Sequence, residues 1–91
     1  MVYKYSKRDK ANRATLEING KRVGRVHFRE YDAWLNPYKS YKLKPKEEIE
    51  RLGMRVEENP QNNSFPIKIY VNAYDEEKVA SILEKAFCDL Y

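Results

Sequence analysis

Ninety-one residues, 42% hydrophobic and 35% charged, make one domain, too apolar for a disordered chain. The charge density, with no run near the ~18 apolar residues of a spanning helix, argues against a membrane protein. One cysteine, Cys88, excludes an internal disulfide, and a single histidine, His27, leaves too few ligands for a self-contained structural zinc site.

The net charge of +4 is uneven: residues 1–30 hold nine Lys/Arg against three Asp/Glu (+6), residues 31–60 balance at six and six, and residues 61–91 hold three against five (−2). A basic front implies a negatively charged partner met by that end. The opening MVYKYSKRDK is charged without an apolar stretch behind it, unlike a secretory signal. Together with the lone cysteine this gives a cytoplasmic expectation.

In chain order, residues 1–12 read as a basic N-terminal arm or short edge strand, with Val2, Tyr3 and Tyr5 as its apolar positions, ahead of a single α+β domain at 13–91. Residues 13–30 read as a β-hairpin. Leu16 and Ile18 share one face, and Asn19-Gly20 suits a two-residue type I′ turn because both positions need positive φ. Val23 and the pair Val26 and Phe28 have opposite parity, so one extra residue is needed to keep all three inward; Gly24 predicts a β-bulge at Gly24-Arg25. His27 and Arg29 then point out. Residues 31–44 read as a long connection broken by Pro37, with Trp34 and Leu35 buried as its anchors.

Pro45 followed by Glu47 and Glu48 opens a short helix over 45–52, closed by Gly53 and Met54, and 54–58 follows as a strand. A polar turn covers 59–64. Phe65, Ile67, Ile69 and Val71 alternate with Pro66, Lys68, Tyr70 and Asn72, the clearest strand of the chain. Asp75 caps a final amphipathic helix that buries Val79, Ile82, Leu83, Ala86, Phe87 and Leu90 and ends near Leu90, with Cys88 beside its apolar stripe. The expected architecture is a small, mostly antiparallel four-stranded sheet with two helices on one face, in ββαββα order. Its open face would carry Thr15, Glu17, His27, Arg29, Lys68, Tyr70 and Asn72.

No catalytic constellation is visible. His27 has no serine or cysteine at a suggestive spacing to activate, Glu84 and Asp89 near Cys88 work against a thiolate, and Gly20, Gly24 and Gly53 have backbone roles rather than forming a phosphate loop. No cofactor or metal is expected. The residue types favour binding: Arg22, Arg25 and Arg29, with Lys4, Lys7, Arg8, Lys10 and Arg13, for phosphates, and His27, Tyr70 and Lys68 on the open face with Tyr38, Lys39, Tyr41 and Lys42 on the loop, for stacking and charge. The aromatic signature of the RNA-recognition motif is missing. Nucleic acid is thus the expected partner. The alternative is a small inhibitor or adaptor acting on an acidic or nucleic-acid-handling protein, since tyrosine and tryptophan are rich in interface hot spots. That alternative compares in size and lack of catalytic groups, and in nothing more, with host-defence (anti-CRISPR-like) inhibitors of mobile elements.

Overall fold

A computed structural model describes residues 1–59 and 66–90. The elements are β1 (Tyr3–Tyr5), β2 (Arg13–Ile18), β3 (Lys21–Phe28), β4 (Ala33–Pro37), α1 (Lys46–Arg51), β5 (Arg55–Glu58), β6 (Ile67–Val71) and α2 (Glu76–Glu84). All strands join one six-stranded sheet in the order β1-β2-β3-β4-β6-β5, every neighbouring pair antiparallel. This corrects the expected four-stranded sheet and its ββαββα order. The additional strands are β1, at the β2 edge, and β4, in the middle of the stretch read as a connection.

The β2–β3 hairpin closes as its sequence requires. Asn19 (φ 53°) and Gly20 (φ 79°) supply the two left-handed residues of the turn. The register then slips by one: Glu17 faces Arg22, but Leu16 faces Gly24, so Val23 is the additional residue. The bulge thus falls one position earlier than expected, and its effect on phase is the one needed: Val23, Val26 and Phe28 are all buried.

A polar turn at residues 29–32 connects β3 to β4. The Arg29 amide donates to the Asp32 carbonyl at 2.9 Å, and the Arg29 guanidinium grips both Asp32 carboxylate oxygens. In β4, Ala33 and Leu35 are fully buried, whereas Trp34 lies on the opposite face and is only half-buried. Leu35 is therefore the core anchor expected of this stretch and Trp34 is not.

Both helices bury their apolar residues in a single cluster on one side of the sheet. Ile49 of α1 and Val79, Ala80 and Leu83 of α2 meet Leu16, Ile18, Val26, Leu35, Val56, Ile69 and Val71 from the strands. The Asp75 carboxylate accepts from the Lys78 amide and caps α2. The helix ends at Glu84 rather than near Leu90. Its last carbonyls take tighter bonds from Lys85, Ala86 and Phe87, and the chain then pairs with the loop after β4: the Lys44 amide donates to the Ala86 carbonyl at 2.8 Å and the Cys88 amide to the Lys42 carbonyl at 2.9 Å. Ala86, Phe87 and Leu90 stay buried past the helix end, while Cys88 is exposed. The turn expected at 59–64, Asn59 apart, and Phe65 lie outside the described residues.

At Gly24 the backbone of β4 leaves no room for a side chain on β3. A Cβ there would collide with the Asn36 carbonyl oxygen and stand 2.8 Å from Leu35 Cδ1 and 2.9 Å from Pro37 Cα. Gly20 has open space around it, so only its positive φ opposes a side chain. Gly24→Ala is expected to cost more than ~2 kcal/mol through this overpacking, and Gly20→Ala nearer ~1 kcal/mol through backbone strain alone. Urea unfolding of the two variants checks both the values and their order.

Candidate nucleic-acid interface

The sheet face away from the helices is built by strand parity. Residues opposite the buried positions meet across the strands, so that Arg13 of β2 faces His27 of β3, His27 faces Trp34 of β4, Trp34 faces Tyr70 of β6, and Tyr70 faces Arg55 of β5. The result is one row of side chains across five of the six strands, with three rings between two arginines.

Contacts along the row are close. The His27 and Trp34 rings lie parallel, 3.7 Å between centroids and 9° between planes. The Trp34 and Tyr70 rings are 6.1 Å apart and tilted by 37°. The Arg55 guanidinium stands over Tyr70 at 4.1 Å, and Arg29 approaches the same ring from the turn at 5.7 Å. The Lys68 ammonium lies over Trp34 at 4.5 Å. Each such pair gains roughly 0.5–1.5 kcal/mol, so the rings are held in place before any partner arrives.

A second row lies beside the first: Thr15, Arg25 and Asn36 pair across β2, β3 and β4, and Lys68 of β6 follows one position past the Leu35–Ile69 pair. Arg25, Lys68 and Arg55 have no carboxylate within ion-pair distance among the described residues, while Arg13 is held by Asp9 at 2.8 Å and Arg22 meets Glu17 only at 4.0 Å. Towards the β1 edge, Lys4, Ser6, Thr15, Glu17 and Arg22 line a shallow basin of about 330 Å³.

The cations leave their mark on His27. Burial lowers its pKa to about 4, and Arg13 and Arg25 push it the same way, against a weaker opposite pull from Asp9. The imidazole is therefore neutral at pH 7, which removes a like charge from the middle of a basic row. Tyr70 is pushed up by burial and by the nearby Glu57 carboxylate. Asp32 is held below the usual carboxylate range by Arg29.

Of the residues singled out from the sequence, the structure gathers Arg22, Arg25, His27, Lys68 and Tyr70 on this face, with Arg29 at its corner. It separates them from Tyr38, Lys39, Tyr41 and Lys42. Tyr41 packs against the core cluster, and Tyr38, Lys39 and Tyr41 line a groove of about 370 Å³ with Pro37, Leu43, Pro66 and Ile67. The Lys42 amide is bonded to the Asp89 carboxylate at 3.0 Å. Arg8 also leaves the basic set: it pairs with Glu76 of α2 at 3.0 Å and covers the Phe28 ring at 4.0 Å. Trp34 and Arg55 complete the row, and neither was expected on the open face. Each had one available signal, a parity opposite to its inward neighbours, Leu35 for the first and Met54 and Val56 for the second.

Compared with known proteins, the chain matches no protein-family model, no curated protein and no solved structure. No helix among the described residues is long and apolar enough to cross a membrane.

Two measurements probe the face without a ligand. Because the His27 pKa is lowered by folding, the unfolded chain takes up a proton first as pH falls, and stability is lost from about pH 6.5 down to about 4. His27→Gln should flatten that part of the stability–pH curve relative to the wild type, and an NMR titration should place the His27 midpoint near 4. Asn36 lies on this face, 5% exposed, with an Oδ1 that has no hydrogen-bond partner among the described residues. Asn36→Val removes an unsatisfied acceptor and adds a better strand former, so the variant is expected to be more stable by ~1 kcal/mol in thermal or urea unfolding.

Proposed function

We propose that this protein is a non-enzymatic module that binds single-stranded nucleic acid on the open face of its sheet. The observation that carries the reading is the row from Arg13 to Arg55, in which three adjoining rings lie between two arginines and are flanked by Arg25 and Lys68. Base stacking on aromatic rings and phosphate attraction to nearby cations are the two interactions that single strands offer regardless of sequence.

Trp34 and Tyr70 form the slot. Their tilt opens a wedge, and their 6.1 Å spacing needs only a small widening, to about 7 Å, before a planar group fits between them. Lys68 now covers the Trp34 face. A base entering there displaces the ammonium towards its own phosphate, so the lysine exchanges one favourable contact for another. Arg25 and Arg55, without carboxylate partners, take the flanking phosphates. His27, neutral at pH 7, supports the far side of Trp34 instead of competing for the anion.

The other reading, a protein-directed inhibitor or adaptor, draws on different residues. Tyr38 and Tyr41 line the groove after β4, away from the basic row. The readings therefore separate by mutation: groove substitutions affect a protein partner, face substitutions a nucleic acid.

The test is binding to a labelled oligonucleotide across a range of salt. Three to four contacted phosphates give a slope of about −2 to −3 in log affinity against log salt for a single strand. Trp34→Ala should weaken binding by roughly 5- to 150-fold, the loss of one stacked base. Arg25→Glu with Lys68→Glu should abolish it, and Lys85→Glu, on the helix side, should leave it within about twofold under the salt screening of a single distant charge. Absence of binding at low salt, or equal losses from Lys85→Glu, overturns the reading.

A further inference from the structure

The sheet has two edges, β1 and β5, and their chemistry differs. In β5, the Asn59 amide donates to the Pro66 carbonyl at 2.6 Å. With the register Arg55↔Tyr70 and Glu57↔Lys68, this makes residues 55, 57 and 59 the ones bonded to β6. The backbone N–H and C=O groups of Val56 and Glu58 therefore point outwards, away from the sheet. An edge of this kind is a template for another strand.

Side-chain parity decides which strand fits. Arg55 and Glu57 both stand on the open face, opposite in parity to buried Val56, with Arg55 over the Tyr70 ring. Val56 faces the core. A second β5, laid antiparallel so that both sheets keep the same open face, must pair residues whose numbers share parity. Centred on Val56, this places Val56 against Val56, Arg55 against Glu57 and Glu57 against Arg55. Arg55 and Glu57 then meet at a position without backbone bonds, where opposing side chains are closest.

The other edge does not repeat this. In β1 the outward backbone groups belong to Tyr3 and Tyr5, because the Asn19 amide bonds the Val2 carbonyl and the Ser6 amide bonds the Thr15 carbonyl. Self-pairing centred on Lys4 sets Lys4 against Lys4, a like-charge contact, and centred on Tyr3 or Tyr5 it sets Lys4 against Val2 or Ser6, so no register gives an opposite-charge pair.

We propose that two copies of this chain associate edge to edge through β5, antiparallel about a two-fold axis at Val56, with Arg55 of each copy facing Glu57 of the other. The occupant of the edge is a second copy because Arg-Val-Glu is complementary in charge to its own reverse. The isologous pairing closes after two chains. It also continues the open face across the axis, bringing two rows of rings into one surface. The contact is short, below the ~1,200 Å² of a standard interface, so the dimer forms at micromolar concentration and above.

Sedimentation velocity without nucleic acid tests this, from about 10 to about 500 μM, the range suited to an interface of that size. The mass should rise with concentration from the 10.9 kDa of one chain towards twice that value. Arg55→Glu and Glu57→Arg, each alone, put like charges opposite one another and should weaken association about tenfold or more. An equimolar mixture of the two variants restores both opposite-charge pairs and should associate at least as well as the wild type. Glu58→Pro removes an outward N–H from an edge position where proline is tolerated, and should give a folded monomer by circular dichroism. The inference is overturned if the wild type stays monomeric at the highest concentration, if it grows past the dimer, if the mixture fails to associate, or if Glu58→Pro dimerises normally. Association is read here without nucleic acid, and oligonucleotide binding is measured separately on Glu58→Pro, which keeps Arg55 and the ring row, so failure of one reading is distinguishable from failure of the other.

Discussion

The approach of β3 to β4 at Gly24 sets the phase of everything that follows. Strand side chains alternate with period two, so a shift of one residue moves a whole set from one face to the other. Val23, Val26 and Phe28 cannot all be inward on a regular strand, and the additional residue at Val23 reconciles them. Past the bulge, Arg25 and His27 are committed to the open face. Gly24 then lets the β4 backbone come close enough for His27 to meet Trp34. Without the bulge, Arg25 and His27 would be driven into an apolar core, which no nearby carboxylate could compensate.

The two faces divide the work of the chain. The helix side takes nearly all the buried apolar side chains and the carboxylates of the acidic rear: Glu76 holds Arg8, and Asp89 holds the loop after β4. The open side is left with cations that have few acidic neighbours, and with rings too polar or too large for the core. Stacking lets those rings remain half-buried without helices above them. His27 shows the consequence: surrounded by guanidiniums and partly desolvated, it gives up its proton and behaves as a flat, neutral surface for Trp34.

How much was legible in the sequence follows from which signals were local. The Asn19-Gly20 turn, the alternation of Ile67, Ile69 and Val71, and the Asp75 cap each announce themselves within a few residues, and each is present. Strand β4 does not. Ala33-Trp34-Leu35-Asn36-Pro37 is apolar towards both faces and contains two residues rarely found in strands, so neither periodicity nor propensity marks it. It is a strand because β3 and β6 both supply hydrogen-bonding edges to it, a fact of tertiary context. Missing β4 hid Trp34, the centre of the candidate site, and made the sheet too narrow. The end of α2 failed for the opposite reason. Ala86, Phe87 and Leu90 keep a helical spacing, but they are buried equally well by a turn and a single bridge to Leu43, and bonds to residues 42 and 44 satisfy the backbone there.

The row also bears on what a partner must spend in binding. Long cationic side chains and loop rings lose rotamer freedom when a ligand orders them, at about 0.5–1.5 kcal/mol each. Trp34, His27, Tyr70 and Arg55 have lost most of that freedom already, because they stack on one another in the free protein. To open the slot, Lys68 moves off the Trp34 face and the Trp34–Tyr70 spacing widens slightly. Tyr38 and Lys39, on a loop that makes a groove rather than a ladder, lack this advantage. The physical distinction between the two candidate surfaces is therefore one of order before contact. It favours the sheet face, whose rings are already ordered against one another before anything is bound.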